Sequence, residues 1–313
     1  MQEIIDSLKT IIPSNQEDEI CFNNICIPIK KENFEEIKSV ENKTIAFIDG
    51  GQAQLLAAPN FSLDIIRIYA IIFKDKNKIN KIQKQFYLLT KTNEHLEYQS
   101  QIFGDKIIDE KDLKINSLDP TIKQGTQRAS VNTMANIARR FAELSLCKEI
   151  SKNVDFVVLD GNLEVTTTNE NKYLKTLPPN VAALAKTSSL FSKKGNNIAG
   201  LLNEISPKTT WLYFAGEENQ RKIYFVKLNQ HSDYVFRFEG NIDSLGALIQ
   251  HCQDPVFPGY PYGLIYADKF ARISNQEKEF LRTQFITKLG KDFERLKKYL
   301  NAKSAHDVLD NIG

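Results

Sequence analysis

The run Thr44 to Ile48 (TIAFI) is short, apolar and β-prone, and it ends on Asp49-Gly50-Gly51; later, Val154 to Leu159 (VDFVVL) repeats the pattern and ends on Asp160-Gly161. Each reads as a buried strand running into a glycine turn. Between them lie two further β-prone runs, Ile65 to Phe73 and Gln85 to Thr90, separated by turns rich in lysine and asparagine. The stretch from about Thr126 to Ile150 then contains neither proline nor glycine and sets Met134, Ala138, Phe141 and Ser145 on one helical face. The order is strand, strand, strand, helix, strand. A meander followed by a right-handed crossover returns the last strand parallel to one of the meander, so a mixed sheet with a helix against it is expected.

The second half alternates likewise. Val181 to Ala185 and Thr209 to Ala215 read as core strands, and Lys222 to Leu228 with Asp233 to Glu239 as a hairpin. Helices are expected over Ile242 to Cys252, entered through Asn241, over Leu264 to Ile273, and over Gln276 to Leu300 with Ser274 as N-cap. The basic run Lys288 to Lys303 alternates with Leu289, Phe293, Leu296 and Leu300 at helical spacing, the pattern of a solvated face on a terminal helix. Residues 1 to about 40 read as a helix-plus-hairpin arm, and 41–313 as the main domain.

With 313 residues, 42% of them hydrophobic, the chain suits one large globular domain or two small ones. No run approaches the roughly 20 apolar residues of a membrane helix, and the N-terminus lacks the basic-then-apolar order of a secretion signal, so a cytoplasmic protein without membrane contact is expected. A net charge of +2 does not announce a nucleic-acid binder, which leaves that argument to local patches.

Cys21 and Cys26 flank a candidate hairpin turn at Asn23-Asn24 and read as ordinary small apolar residues across it. With only His95, His231, His251 and His306 available, a histidine-rich metal centre is not expected, so a metal site here must be oxygen-rich. If the two aspartate-bearing strands are neighbours, Asp49 and Asp160 project side by side at the sheet edge where α/β folds bind ligands. Two adjacent carboxylates repel unless they share a proton or a cation, and Mg²⁺ or Mn²⁺ takes such hard oxygen ligands. A lone Asp-Gly is a common turn; two in matching context carry the metal reading. Lys186 follows VAALA and precedes Thr187, Ser188 and Ser189, a set that either holds phosphate or merely caps a strand.

Five segments, IAFIDGG at 45–51, ARRFAE at 138–143, VVLDGNLE at 157–164, ALAKTSSLF at 183–191 and GYPYGLIYADKFARIS at 259–274, together resemble the NurA nucleases in order and spacing. The resemblance implies an α/β, ribonuclease-H-like mixed sheet flanked by helices, with an N-terminal arm and C-terminal helices. It further implies a homodimer that cuts DNA as an exonuclease and single-strand endonuclease with Mn²⁺ or Mg²⁺, two ions being expected, alongside a HerA-like hexameric ATPase in DNA end resection. Asp49, Glu143 and Asp160 would be metal ligands, Lys186 would lie by the scissile phosphate, and Arg139 and Tyr260 would contact DNA.

Glu143 also has a plainer reading, since Arg139 and Arg140 precede it by four and three residues and a surface ion pair would suffice. Tyr260 and Pro261 also suit a helix start. The family usually carries an Ala-His pair after the Tyr-Pro motif, where this chain has Ala267-Asp268; Asp268 is either a metal ligand and catalytic residue or the i,i+4 partner of Arg272. The first turn reads Asp-Gly-Gly where Asp-Gly-Ser is common. A catalytically silent DNA-clamping or ATPase-docking subunit, and a nuclease of the same fold acting on RNA, are the competing readings.

Overall fold

The computed structural model describes residues 1–11, 18–22, 25–188, 190–218 and 221–310. A first helix, α1 (Gln2–Ile11), precedes a two-stranded hairpin, β1 (Glu19–Phe22) with β2 (Ile25–Pro28), and a short strand β3 (Phe34–Glu36). The meander follows as β4 (Thr44–Ala58), β5 (Phe61–Lys74), β6 (Asn77–Thr92) and β7 (Glu97–Gly104), with β8 (Ile115–Asn116) at its margin. Next come α2 (Thr133–Ile150), β9 (Phe156–Asp160), α3 (Glu170–Leu174), β10 (Val181–Ala185) and α4 (Ile198–Ile205). The remainder is β11 (Trp211–Glu218), β12 (Arg221–Lys227), β13 (Phe236–Glu239), α5 (Ser244–Leu248), α6 (Tyr262–Ala271), α7 (Asn275–Leu289) and α8 (Lys291–Asp310).

Eleven strands form one sheet in the order β3-β11-β12-β13-β10-β9-β4-β5-β6-β7-β8. The meander is antiparallel, whereas β9 returns parallel to β4 with Phe47 opposite Val158 and Ile48 opposite Leu159, and β10 lies parallel to β9. This is the mixed sheet that the strand, strand, strand, helix, strand order requires.

Side chains alternate across it. Ala46, Ile48, Ile66, Ile68, Val157, Leu159 and Ala183 meet Met134, Ala138 and Phe141 of α2 on one face. Ile45, Phe47, Val158, Ala182 and Leu184 meet Leu264, Ala267 and Ala271 of α6 on the other. Each large apolar side chain so buried contributes about 1.5–3 kcal/mol, so the two helices are clamped to the centre of the sheet from opposite sides. No described helix is long and apolar enough to cross a membrane.

Several local expectations are corrected. β4 does not turn at Asp49-Gly50-Gly51 but runs straight through to Ala58, with Gly50 paired to Ile68 and Gly51 to Arg67. The glycines answer a need for space instead. A Cβ on Gly50 would meet Glu143, Arg139 and Ile68, and one on Gly51 would meet the backbone of Ala271 and Arg272. Helix α2 begins at Thr133 rather than near Thr126. The expected helix from Gln276 to Leu300 is two, α7 and α8, parted at Gly290, whose φ of 54° ends a helix cheaply only for glycine. Ser274 does cap α7, its hydroxyl accepting from the Glu277 amide. Asn241 precedes α5 by a turn, and Asp243 occupies the N-cap.

Cys21 and Cys26 are direct cross-strand partners joined by a disulfide rather than separate apolar residues, because opposition in an antiparallel pair brings their Cβ atoms close. The Asn23-Asn24 turn and Ser189 lie outside the described residues.

Candidate active site

Asp49 follows Ile48 on β4 and Asp160 follows Leu159 on β9, and since Ile48 and Leu159 are opposite each other in parallel register, the two aspartates share a face of the sheet. β9 ends at Asp160 while β4 continues, so the pair sits in a notch beside the β4 extension. Gly161, at φ 110°, takes a backbone conformation that any side chain would disfavour and lets the chain leave the strand at once.

Glu143 arrives from the opposite face on α2 and is 5% exposed. Because Gly50 has no side chain, the Glu143 carboxylate fills the space a Cβ would need and comes close enough for its charge to act on Asp49. The charges of Glu143 on α2 and Asp160 on β9 therefore both act on Asp49 of β4, although the three carboxylates do not close to ligating distance of one another. Burial, then the Glu143 and Asp160 carboxylates, push the Asp49 carboxyl up to about 7, against the pull of its hydrogen bond from the Gly50 amide at 2.7 Å. Burial likewise raises Glu143, with Arg139 and Arg140 opposing the shift.

Arg139 lies with its Nε 3.7 Å from the Glu143 carboxylate and donates from its terminal nitrogen to the Gly50 carbonyl at 2.9 Å. The plainer reading of Glu143 is thus half right: the i,i+4 pair exists, but on a buried acid beside Asp49 rather than on a solvated face. Arg140 pairs instead with the buried Glu170 at 2.8 Å and donates to the Asn162 carbonyl at 2.6 Å, fixing the loop after Asp160.

Lys186, one residue past β10, places its ammonium 2.7 Å from Asp160 and 4.9 Å from the centre of the Tyr260 ring. Tyr260 packs against Phe236 just ahead of Pro261, the N-cap of α6, and its buried hydroxyl lies against the Asp160 carboxylate. Burial, followed by the charge of Asp160, holds its phenol well above the ordinary value. Tyr260 thus stands at the helix entry, as its pairing with Pro261 suggests, and also faces the acids. Asp268 forms the i,i+4 ion pair with Arg272 at 2.9 Å, yet its charge also raises Asp49, so it borders the acidic centre as well.

The structure thus brings together Asp49, Glu143, Asp160, Lys186, Arg139, Tyr260 and Asp268. What the sequence reading missed is the reason for Gly50-Gly51. A glycine pair inside an apolar strand pattern signals close approach by another element as readily as a turn.

No family model and no curated protein matches the chain by sequence. Among solved structures, the NurA nuclease from Sulfolobus solfataricus aligns over 93% of this chain and 93% of its own, at 14% identity and a TM-score of 0.55. The fold is NurA-like. A second NurA structure, solved with manganese, covers 92% of this chain and 96% of its own at 9% identity and a TM-score of 0.51. At these identities both likenesses concern the fold alone.

Proposed function

We propose that the chain is a divalent-metal-dependent nuclease that hydrolyses phosphodiester bonds in DNA. The observation that carries this reading is that burial, with the charges of Glu143 on α2 and Asp160 on β9, pushes the Asp49 carboxyl on β4 up to about 7. Such a donor set is all oxygen and electrostatically unfavourable when ionised, which suits Mn²⁺ or Mg²⁺. Asp49, Glu143 and Asp160 would hold the metal, two ions in the fullest form of the reading, with Asp268 at the margin.

Bound there, a divalent ion supplies charge stabilisation for the attacking and leaving oxygens of the phosphodiester. The chain's own residues do the rest. Lys186 keeps its ammonium beside Asp160 and meets the scissile phosphate from there, contributing a mobile positive charge. The Tyr260 hydroxyl, held protonated, donates a hydrogen bond toward a phosphate oxygen, while its ring supports the Lys186 ammonium. Arg139 fixes Glu143 against Gly50 and offers its guanidinium to the incoming strand.

The finer parts of the reading are exonuclease and single-strand endonuclease action, a homodimer, and work with a HerA-like ATPase in DNA end resection, the ATPase docking near the N-terminal arm. The arm cannot be tested by deleting residues 1 to 40, because Ile20 and Ile37 are buried and β3 pairs with β11. Removing α1 alone is the cleaner test of docking, and light scattering tests the dimer.

The deciding experiment is cutting of end-labelled DNA and RNA by purified protein with Mn²⁺, Mg²⁺ or chelator, for wild type and Asp160→Asn. DNA cutting that requires metal and vanishes in the variant supports the proposal. Undiminished cutting by Asp160→Asn sinks the site assignment, and a wild type that binds DNA without cutting it identifies a silent clamp.

A further inference from the structure

Helix α2 carries Asn136, Arg139 and Glu143 at helical spacing, and its N-cap Asn132 continues the same stripe. This stripe lies along β4: Asn136 accepts from the Gln52 amide at 2.7 Å, Arg139 donates to the Gly50 carbonyl, and Glu143 sits over Gly50. A row of neutral amides therefore leads along the β4 extension to the acidic centre, with Arg139 between them and Glu143.

The row is under-bonded. Gln52 Oε1 and Asn132 Oδ1 are closed off from water yet have no hydrogen-bond partner among the described residues, while Arg139 Nε is ion-paired with Glu143 at 3.7 Å without a hydrogen bond. Unpartnered polar atoms at this depth are rare in proteins and disfavoured unless a partner arrives. Two such amide oxygens on the stripe that leads to a candidate active site point to a partner that arrives with the substrate. Terminal amide torsions are broad, so each amide can swing toward such a partner at little cost.

The chemistry of the row says which part of the substrate it meets. Phosphates are held by cations and backbone amides, and the row's cation, Arg139, stands beside Glu143 where the scissile phosphate would come. Beyond it the side chains are amides, which present a donor and an acceptor together and so match the edges of nucleobases. We propose that Gln52, Asn132 and Asn136 form a base-reading subsite for an unpaired stretch of the substrate strand. The inference rests on the nuclease reading of the acidic centre and extends it to the substrate. A helix rise of about 1.5 Å per residue puts Asn136 about 10 Å and Asn132 about 16 Å from Glu143, or roughly three to five stacked nucleotides from the bond to be cut.

The test is anisotropy of short labelled single-stranded DNA in chelator, where binding is read without cutting, using oligonucleotides with one abasic site moved along the strand. Phosphates are unchanged in this series, so it reports base contacts alone. Wild type should bind about five- to tenfold more weakly when the abasic site falls over the amide row. Gln52→Ala and the exposed Asn136→Ala should weaken intact DNA by the same factor and show no further abasic penalty. An abasic penalty that persists undiminished in both variants overturns the proposal, as does equal weakening of intact and abasic strands by the variants. A change in oligomeric state without any change in the abasic penalty assigns the row to a second copy of the chain and also overturns it. Cutting with Mn²⁺ by a protein that shows no abasic penalty overturns this subsite alone; the expected penalties in a protein that never cuts sink the nuclease reading and leave the subsite standing.

Discussion

Replacing Asp49 by asparagine keeps the shape of the site and removes the charge that the fold resists. In the metal-free chain the Asp49 carboxyl is raised from 3.8 to about 7. A carboxyl that binds its proton more tightly folded than unfolded contributes stability that is complete below about pH 4, is lost as pH rises to about 7, and changes little above it. At about 1.4 kcal/mol per tenfold in proton affinity, the step amounts to about 4 kcal/mol at most. Asp49 is only partly enclosed, and water and side-chain relaxation cut this to about 2 kcal/mol. For a chain of this length that corresponds to about 3 °C in melting temperature.

Asp49→Asn should therefore melt about 3 °C above wild type at pH 8 in chelator, with a smaller gap at pH 5. Added Mn²⁺ should then raise the wild type and hardly move the variant, since a ligand that binds only the folded state stabilises in proportion to its binding. Thermal melts at both pH values, with chelator and with Mn²⁺, measure all of this. A variant no more stable than wild type at pH 8, or one that gains as much from Mn²⁺, would refute the account of strained acids. Asp160→Asn is the contrasting control: it leaves the Lys186 ammonium without the carboxylate now 2.7 Å away, so no comparable gain is expected.

Gly50→Ala should cost about 1–3 kcal/mol and abolish the Mn²⁺ response, because the new methyl group displaces Glu143 and crowds Arg139 and Ile68; melts and a Mn²⁺ titration read both. Lys186→Met should give opposite signs in two assays: tighter Mn²⁺ binding by the free protein, since a competing cation is gone, and cutting slowed by about ten- to a hundredfold. A parallel loss of both would assign Lys186 a merely structural part. Asp268→Ala should raise the Mn²⁺ needed for half-maximal cutting while Arg272→Ala should not, and equal small effects would reduce Asp268 to the ion pair seen at 2.9 Å.

Much of the fold could be read from periodicity alone. The apolar runs at Thr44, Ile65, Gln85 and Val154 are strands, and the crossover helix brings β9 parallel to β4 as that order demands. The aspartates were legible for the same reason, each standing at the end of an apolar run that is buried on both faces of the sheet. What stayed hidden depends on contacts between distant elements. Gly50-Gly51 has the local chemistry of a turn, and only the arrival of α2 and α6 on either side makes it a straight strand. Glu143 shows the i,i+4 pattern of a surface pair, and burial is the property that local sequence cannot report. The partner of Lys186 and the contact between Gln52 and Asn136 join positions far apart in the chain, so no spacing rule could reveal them.

The straight passage of β4 through Gly50-Gly51 leaves the sheet only one peptide thick at that point. Elsewhere two layers of side chains insulate one face from the other; here a carboxylate on the α2 side and carboxylates on the α6 side lie within reach of each other's field across bare backbone. The sheet is at this place a window rather than a wall. A strand of nucleic acid lying along α2 and an ion seated beside Asp160 need not share a face to act on one another, and the single methyl group of an alanine would be enough to shutter the opening.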